Sequence, residues 1–180
     1  MGMGLLQVVI TLGIIMLLVK PVGSYLVKVF GYEKSGLDRV FAPMERITYR
    51  IMGVKEDEAM GWKKYVGAVL LVNFVMMLLM YAVFRLQKYL PINPDDIGNM
   101  PPALAFNTAV SFITNTNWQA YSGENAMSYL SQMVGLTFPM FTSAATGFAI
   151  AVAFTRGLVG RQDNLGNFYV DLTRAITRVF

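Results

Sequence analysis

Three stretches of this chain, residues 3–19, 65–84 and 126–155, contain no charged side chain at all. At the helical rise they reach about 25, 30 and 45 Å, against a bilayer hydrocarbon core about 30 Å thick. In lipid every backbone N–H and C=O must find a partner within the protein, so runs of this kind fold as spanning helices. Composition agrees: 55% of the 180 residues are hydrophobic and 14% are charged, a balance outside that of ordinary soluble domains. The sequence therefore reads as an all-α membrane protein with three spans.

The first run is short, and Lys20-Pro21 is expected to end it. No basic segment precedes it and no A-x-A-like site follows, so it reads as a retained helix and not a cleaved leader. The second run is bounded by Trp62-Lys63-Lys64-Tyr65 and by Arg85 to Tyr89, the aromatic and basic anchors that interfaces favour. The third is too long for one straight perpendicular helix. It predicts tilt, a break near Gly135 or Pro139, or an end standing out of the bilayer.

Charge fixes an expected orientation. Of 15 Lys and Arg, nine lie between residues 20 and 64 and four (Arg156, Arg161, Arg174, Arg178) follow the third run, while only Arg85 and Lys88 lie between the second and third. The positive-inside rule then places the N-terminus outside, the 20–64 loop with Lys34 and the C-terminal tail with Arg161 in the cytoplasm, and 87–125 outside. Because the basic residues sit in loops between apolar runs and not on a solvated domain, no nucleic-acid partner is expected. The chain has no Cys and no His, which removes disulfides, thiolate or imidazole metal sites and histidine acid–base chemistry together. Two pieces are amphipathic. In "PMERITYRIMG", Pro43 suits a first helical position, and Gly53 suits a stop. In 165–180, Leu165, Phe168, Tyr169, Leu172, Ile176 and Val179 recur beside Asp171, Arg174 and Arg178. Each reads either as a helix lying on the membrane surface or as one packed on a partner.

Against this background "TAVSFITNTNWQAYSG" (108–123) is anomalous, being polar between two spans. Pro101-Pro102 can open a helix, 103–113 can continue it, and "TNTN" breaks it. Eleven residues give about 16 Å, half a bilayer. A helix entering from outside would stop near the midplane and turn back, which is tolerated only where the backbone is buried in protein or lines a wet cavity. Its C-terminal end would face the membrane centre with about half a negative charge, and the carbonyl, Thr and Asn oxygens beyond it suit a dehydrated monovalent cation such as potassium. The other reading of these residues is an outside loop after a surface helix, with Asn107, Thr108 and Ser111 merely capping turns or packing.

The run "NTAVSFITNTNWQAYSGE…MSYLSQMVGLTFPMFTSAATG" closely resembles the first pore-loop segment of the potassium-binding subunit of Kdp-type potassium-transporting ATPases, the KdpA family. "EAMGWKKYVGAVLLVN", "YLPINP" and "LGNFYVDLTRAITRV" extend the resemblance over essentially the whole chain. It implies an extra N-terminal transmembrane helix followed by one helix–pore-loop–helix unit of potassium-channel type, where family members carry four such units around a shared filter. The chain then looks like an N-terminal portion: residues 1–64 holding the first helix and cytoplasmic loop, 65–155 the first unit, and 156–180 an amphipathic linker. The resemblance places the potassium filter on Thr114, Asn115, Thr116 and Asn117, with Gln119 at its mouth. It also implies K+ as transported ion, a nucleotide-hydrolysing P-type ATPase partner together with accessory subunits, and a bacterial or archaeal plasma membrane as location. No glycine-rich filter is present, so Asn115 or Asn117 is expected to take the left-handed conformation that Gly would otherwise supply. Trp118 reads as an interface or packing anchor and not as a ligand. Ser143, Gly147 and Ala151 form a small-residue stripe on the third span. Thr137, Thr142 and Thr146 either face a vestibule or bond back to their own helix. No phosphate-cradling G-x-x-x-x-G-K-[ST] loop is present, so this chain is not expected to hydrolyse ATP itself. The rivals are a short homotetrameric potassium channel and a membrane enzyme built on Ser122, Ser131 and Glu124.

Overall fold

The computed structural model describes residues 2–33, 36, 38–160 and 164–180; Lys34 and Arg161, to which the topology expectation assigned a side, lie outside them. Every regular element among the described residues is helical, and the chain divides into two compact units, Met1–Ile47 and Thr48–Phe180. Among the described residues three helices are long and apolar enough to cross a membrane: Met3–Phe30, Trp62–Tyr89 and Ser131–Leu158, each 28 residues.

In the first unit, α1 (Gly2–Phe30) runs straight through Lys20 and Pro21. The expected stop at Val19 is therefore wrong. Proline removes one N–H from the ladder, but membrane helices tolerate that loss, and a lysine stem can lie along the helix while its ammonium reaches for the interface. Most apolar side chains of α1 are exposed, Met16 and Leu17 each by 79%, as suits a helix solvated by lipid, while Val29 and Phe30 at its end are buried. Next comes α2 (Asp38–Met52), whose last residues belong to the second unit; it starts five residues before Pro43, which is internal and not the first helical position. Its stop is the expected one. Gly53 takes φ +65, its N–H donates to Arg50 O (3.3 Å) and the Val54 N–H to Tyr49 O (2.9 Å), the paired closure of a Schellman cap.

The second unit is built on α3 (Trp62–Leu86), which tightens into a 3-10 turn at Gln87–Tyr89. After it come α4 (Pro102–Ile113), the short α5 (Gly123–Ala126), a π-helical segment (Ser131–Thr137) running directly into α6 (Phe138–Leu158), and α7 (Phe168–Arg178). The helix is not interrupted at Gly135 or Pro139 but runs from Ser131 to Leu158, with π winding over its first turns. At Gly135 a Cβ would lie 2.3 Å from Cε1 of the fully buried Phe84. Only a residue without a side chain lets the ring in, and the widened turn keeps its own bonding; the Thr137 hydroxyl donates to Gln132 O, five residues back (3.2 Å).

Two packed clusters lie at the two ends of α3. One joins Met80 and Phe84 to Met100, Ala105, Ala109 and Phe112 of the loop and α4. The other joins Tyr65 and Ala68 to Ala149 and Ala153 of α6 and Phe168 of α7. Helix α7 packs on α6 and α3. Asp171, read from sequence as part of a polar face, is wholly buried and bonds both Arg156 nitrogens (2.6 and 3.1 Å), with the Tyr65 hydroxyl 3.0 Å away. A buried charge of this kind persists only when paired and further hydrogen-bonded.

Candidate ion site

The site begins at the start of α4. Pro101 caps the helix and Pro102 opens it, where a missing N–H costs nothing. The approach is tied to the end of α3: Met100 N–H donates to Phe84 O (3.1 Å) and Arg85 Nη1 to Met100 O (2.5 Å). One face of α4, including Thr108 and Ser111, is buried against α3 and α6, while Phe106 and Asn107 are exposed.

At Thr114 the helix stops. Asn115 and Asn117 both have φ +57, the left-handed conformation expected of one of them, while Thr114 lies at φ −85. The alternation turns successive N–H groups the same way. Those of Thr116 and Asn117 both donate to Ser111 O (2.9 and 3.2 Å), and that of Trp118 donates to Ser111 Oγ (2.5 Å). Thr114 N–H donates to Val110 O (3.0 Å) and Asn115 N–H to Phe112 O (3.4 Å).

The carbonyls follow from the planarity of the peptide. In a trans peptide the C=O of one residue points opposite to the N–H of the next, and the described residues contain no cis bond. Since the N–H groups of residues 116, 117 and 118 all point at Ser111, the C=O groups of Asn115, Thr116 and Asn117 all point away from it, toward one side. Among the described residues no hydrogen bond reaches those three oxygens. These three acceptors stand in a row just beyond the C-terminal end of α4.

Side chains brace the turn. The Thr114 hydroxyl donates back to Val110 O (2.9 Å) and stands 2.9 Å from the Thr116 hydroxyl. Asn117 Nδ2 donates to Asn115 Oδ1 (3.3 Å), which Ser143 Oγ of α6 also approaches at 3.3 Å. The structure thus brings Thr114, Asn115, Thr116 and Asn117 together. It places Gln119 farther along the exposed return segment, its amide 3.5 Å from the Tyr121 hydroxyl. Trp118 is 64% exposed, and its role here is carried by its backbone. A groove of about 470 Å³ is lined by Phe106, Asn107, Ser111, Thr114, Thr116 and Trp118.

A sequence profile of the family described as potassium-transporting ATPase A subunit matches residues 9–180. The chain belongs to this family. It is similar to the potassium-transporting ATPase potassium-binding subunit of Alicyclobacillus acidocaldarius, 56% identical over 160 residues, which covers 88% of this chain and 28% of that protein. The protein of the same description from Koribacter versatilis is 50% identical over 175 residues, covering 96% of this chain and 30% of its own length. The chain thus spans less than a third of the length of these relatives. In this member of the family the catalytic triple weighed from sequence does not assemble. Ser131 is buried with its hydroxyl on Ser128 (3.0 Å), while Ser122 and Glu124 are exposed.

Ser111 is the organiser that sequence reading passed over as a capping or packing residue. Ser143 was read only for its size. Thr137, Thr142 and Thr146 all bond back to their own helix, at Gln132 O, Phe138 O and Thr142 O.

Proposed function

We propose that this chain supplies one quarter of a potassium filter, with the carbonyls of Asn115, Thr116 and Asn117 and the hydroxyls of Thr114 and Thr116 as its contribution. The observation that carries the reading is the convergence of three successive N–H groups on Ser111, which presents the carbonyls to one side. A dehydrated potassium ion needs such oxygens arrayed around it, and its hard, monovalent character suits neutral oxygen and not carboxylate or sulfur. In the full-length protein, K+ would enter from outside past Gln119, and the energy would come from a P-type ATPase partner acting with accessory subunits. The loop charges support an orientation with the N-terminus and 87–125 outside a bacterial or archaeal plasma membrane. Under this reading 65–155 is the first helix–pore-loop–helix unit, preceded by an extra helix within 1–64 and followed by a linker at 156–180.

The test uses the full-length protein in complex with its ATPase partner, carrying Thr116→Ala, Asn117→Ala or Gln119→Arg. Each is expected to weaken apparent K+ affinity or K+/Rb+ discrimination, Gln119→Arg by placing a cation at the mouth. Unchanged affinity and discrimination in all three would remove these residues from the ion path.

A further inference from the structure

The loop from residue 98 to 128 leaves α3 and returns to the π segment, and its two ends meet at one side chain. Gln87 is fully buried. Its Nε2 donates to Gly98 O (2.6 Å), just before α4, and to Ala126 O (2.8 Å), on the returning side; its Oε1 accepts from Ser128 N–H (3.3 Å). A primary amide has two N–H groups and one carbonyl oxygen, and here each has a partner. Ser128 passes the connection on, since its Oγ accepts from Ser131 N–H (3.2 Å) at the first residue of the π segment. Other bonds tie the entry to α3, such as Lys88 N–H to Asn99 Oδ1 (3.0 Å). Among the described side chains, however, only Gln87 bonds both ends of the loop.

We propose that Gln87 is a positioning residue for the ion site. It fixes entry and exit of the loop to each other and to the end of α3, and so sets where the Asn115–Asn117 carbonyls stand. This rests on the reading of those carbonyls as the potassium face. The mechanical path is short. From Gly98 the chain passes through Pro101-Pro102, whose fixed φ values transmit direction, into α4, a packed rod of about 18 Å that ends at Thr114. Among other uncharged side chains only asparagine carries the same amide, on a stem one methylene shorter. Methionine matches the length but strands two buried carbonyls and one N–H. Glutamate keeps the acceptor for Ser128 but turns its second oxygen against two carbonyls. Groups that hydrogen-bond a ligand directly typically govern metal affinity by about 10–100-fold; Gln87 bonds none of the proposed ligands and acts through α4, so its effect is expected at or below the lower end of that range.

The experiment compares Gln87→Met and Thr116→Ala in the complete transporter. Membrane abundance, apparent K+ affinity and K+/Rb+ discrimination are measured together with hydrogen exchange of the same preparations. Gln87→Met is expected to weaken apparent K+ affinity by up to about tenfold, to lower discrimination, and to speed exchange at 98–102 and 114–118 while the α7 amides keep their protection. Should Gln87→Met not accumulate, Gln87→Asn, one methylene shorter, must lower discrimination in the same direction. If Thr116→Ala shifts discrimination while the Gln87 variants leave discrimination and exchange at 114–118 unchanged, the positioning role is overturned and the ion-site reading stands. If neither residue affects discrimination, the ion-site reading falls and the positioning role with it.

Discussion

Two asparagines carry the turn, and their task is set by backbone handedness. An L-residue in the left-handed region costs roughly 1–2 kcal/mol, less for Asn and nothing for Gly, and a β-branched residue there is an outlier. Asn117 contributes its conformation and one side-chain bond; Asn115 adds contacts to Asn117 and Ser143. Asn117→Gly is therefore expected to leave the turn closed, whereas Asn117→Val should destabilise it by about 1–2 kcal/mol. Amide exchange at residues 116–118 reads the difference. Equal protection in both variants would mean that the loop does not depend on this conformation. The absence of glycine in "TNTN" made the left-handed asparagine foreseeable. The role of Ser111 was not, because one carbonyl accepting from two later N–H groups leaves no trace in residue type.

Helices α3, α6 and α7 hold together through close approach and through one buried ion pair. A Cβ at Gly135 would fall 2.3 Å from Phe84 Cε1 and 2.7 Å from Cζ, and that ring is enclosed, whereas a Cβ at Gly147 meets nothing within 4 Å. Gly135→Ala is expected to cost about 1–3 kcal/mol through overpacking, while Gly147→Ala should be neutral or slightly stabilising. Thermal melts in detergent rank the two, and equal midpoints would sink the packing argument. For Arg156 and Asp171, losing one partner strands a charge and costs about 3–5 kcal/mol, whereas replacing both with apolar residues costs much less. Asp171→Leu should thus be more damaging than Arg156→Leu with Asp171→Leu together, and additive losses in a double-mutant cycle would contradict a coupled pair. The lengths and apolar character of these helices were legible from sequence, as were the Gly53 stop and the opening of α4 at Pro101-Pro102. The passage of α1 through Pro21 was not, since proline is a stop signal calibrated on helices in water. Nor was the burial of α7: its charges recur at helical spacing as they would on a wetted face, and only the position of Arg156 fifteen residues away turns Asp171 inward.

Contacts that define the site span long separations, and this limits what sequence could reveal of the whole. Gln87 reaches Ser128 across 41 positions and Ser143 reaches Asn115 across 28; no local pattern encodes either. The same geometry bears on what the chain can do alone. Residues 114–120 are exposed, and the carbonyls of Asn115, Thr116 and Asn117 point away from Ser111. A potassium ion leaving water for one such face would regain about a quarter of the shell that four converging loops provide, and the remaining desolvation would go uncompensated. In a bilayer the uncovered backbone also faces lipid at a cost of several kcal/mol per unpaired group, which drives the face toward partners. The exposed Gly147 on α6 offers one place for close helix contact. This 180-residue chain, reconstituted by itself in liposomes, is therefore expected to insert but to carry no K+-selective flux. Four copies brought together would repeat "TNTN" without the glycine-rich segment of a typical potassium filter, so assembly by itself should not create selectivity. Measuring oligomeric state and K+/Na+ flux in the same vesicles decides the matter. A stable tetramer with potassium-selective conductance and no ATPase partner would replace the quarter-filter reading with that of a short channel.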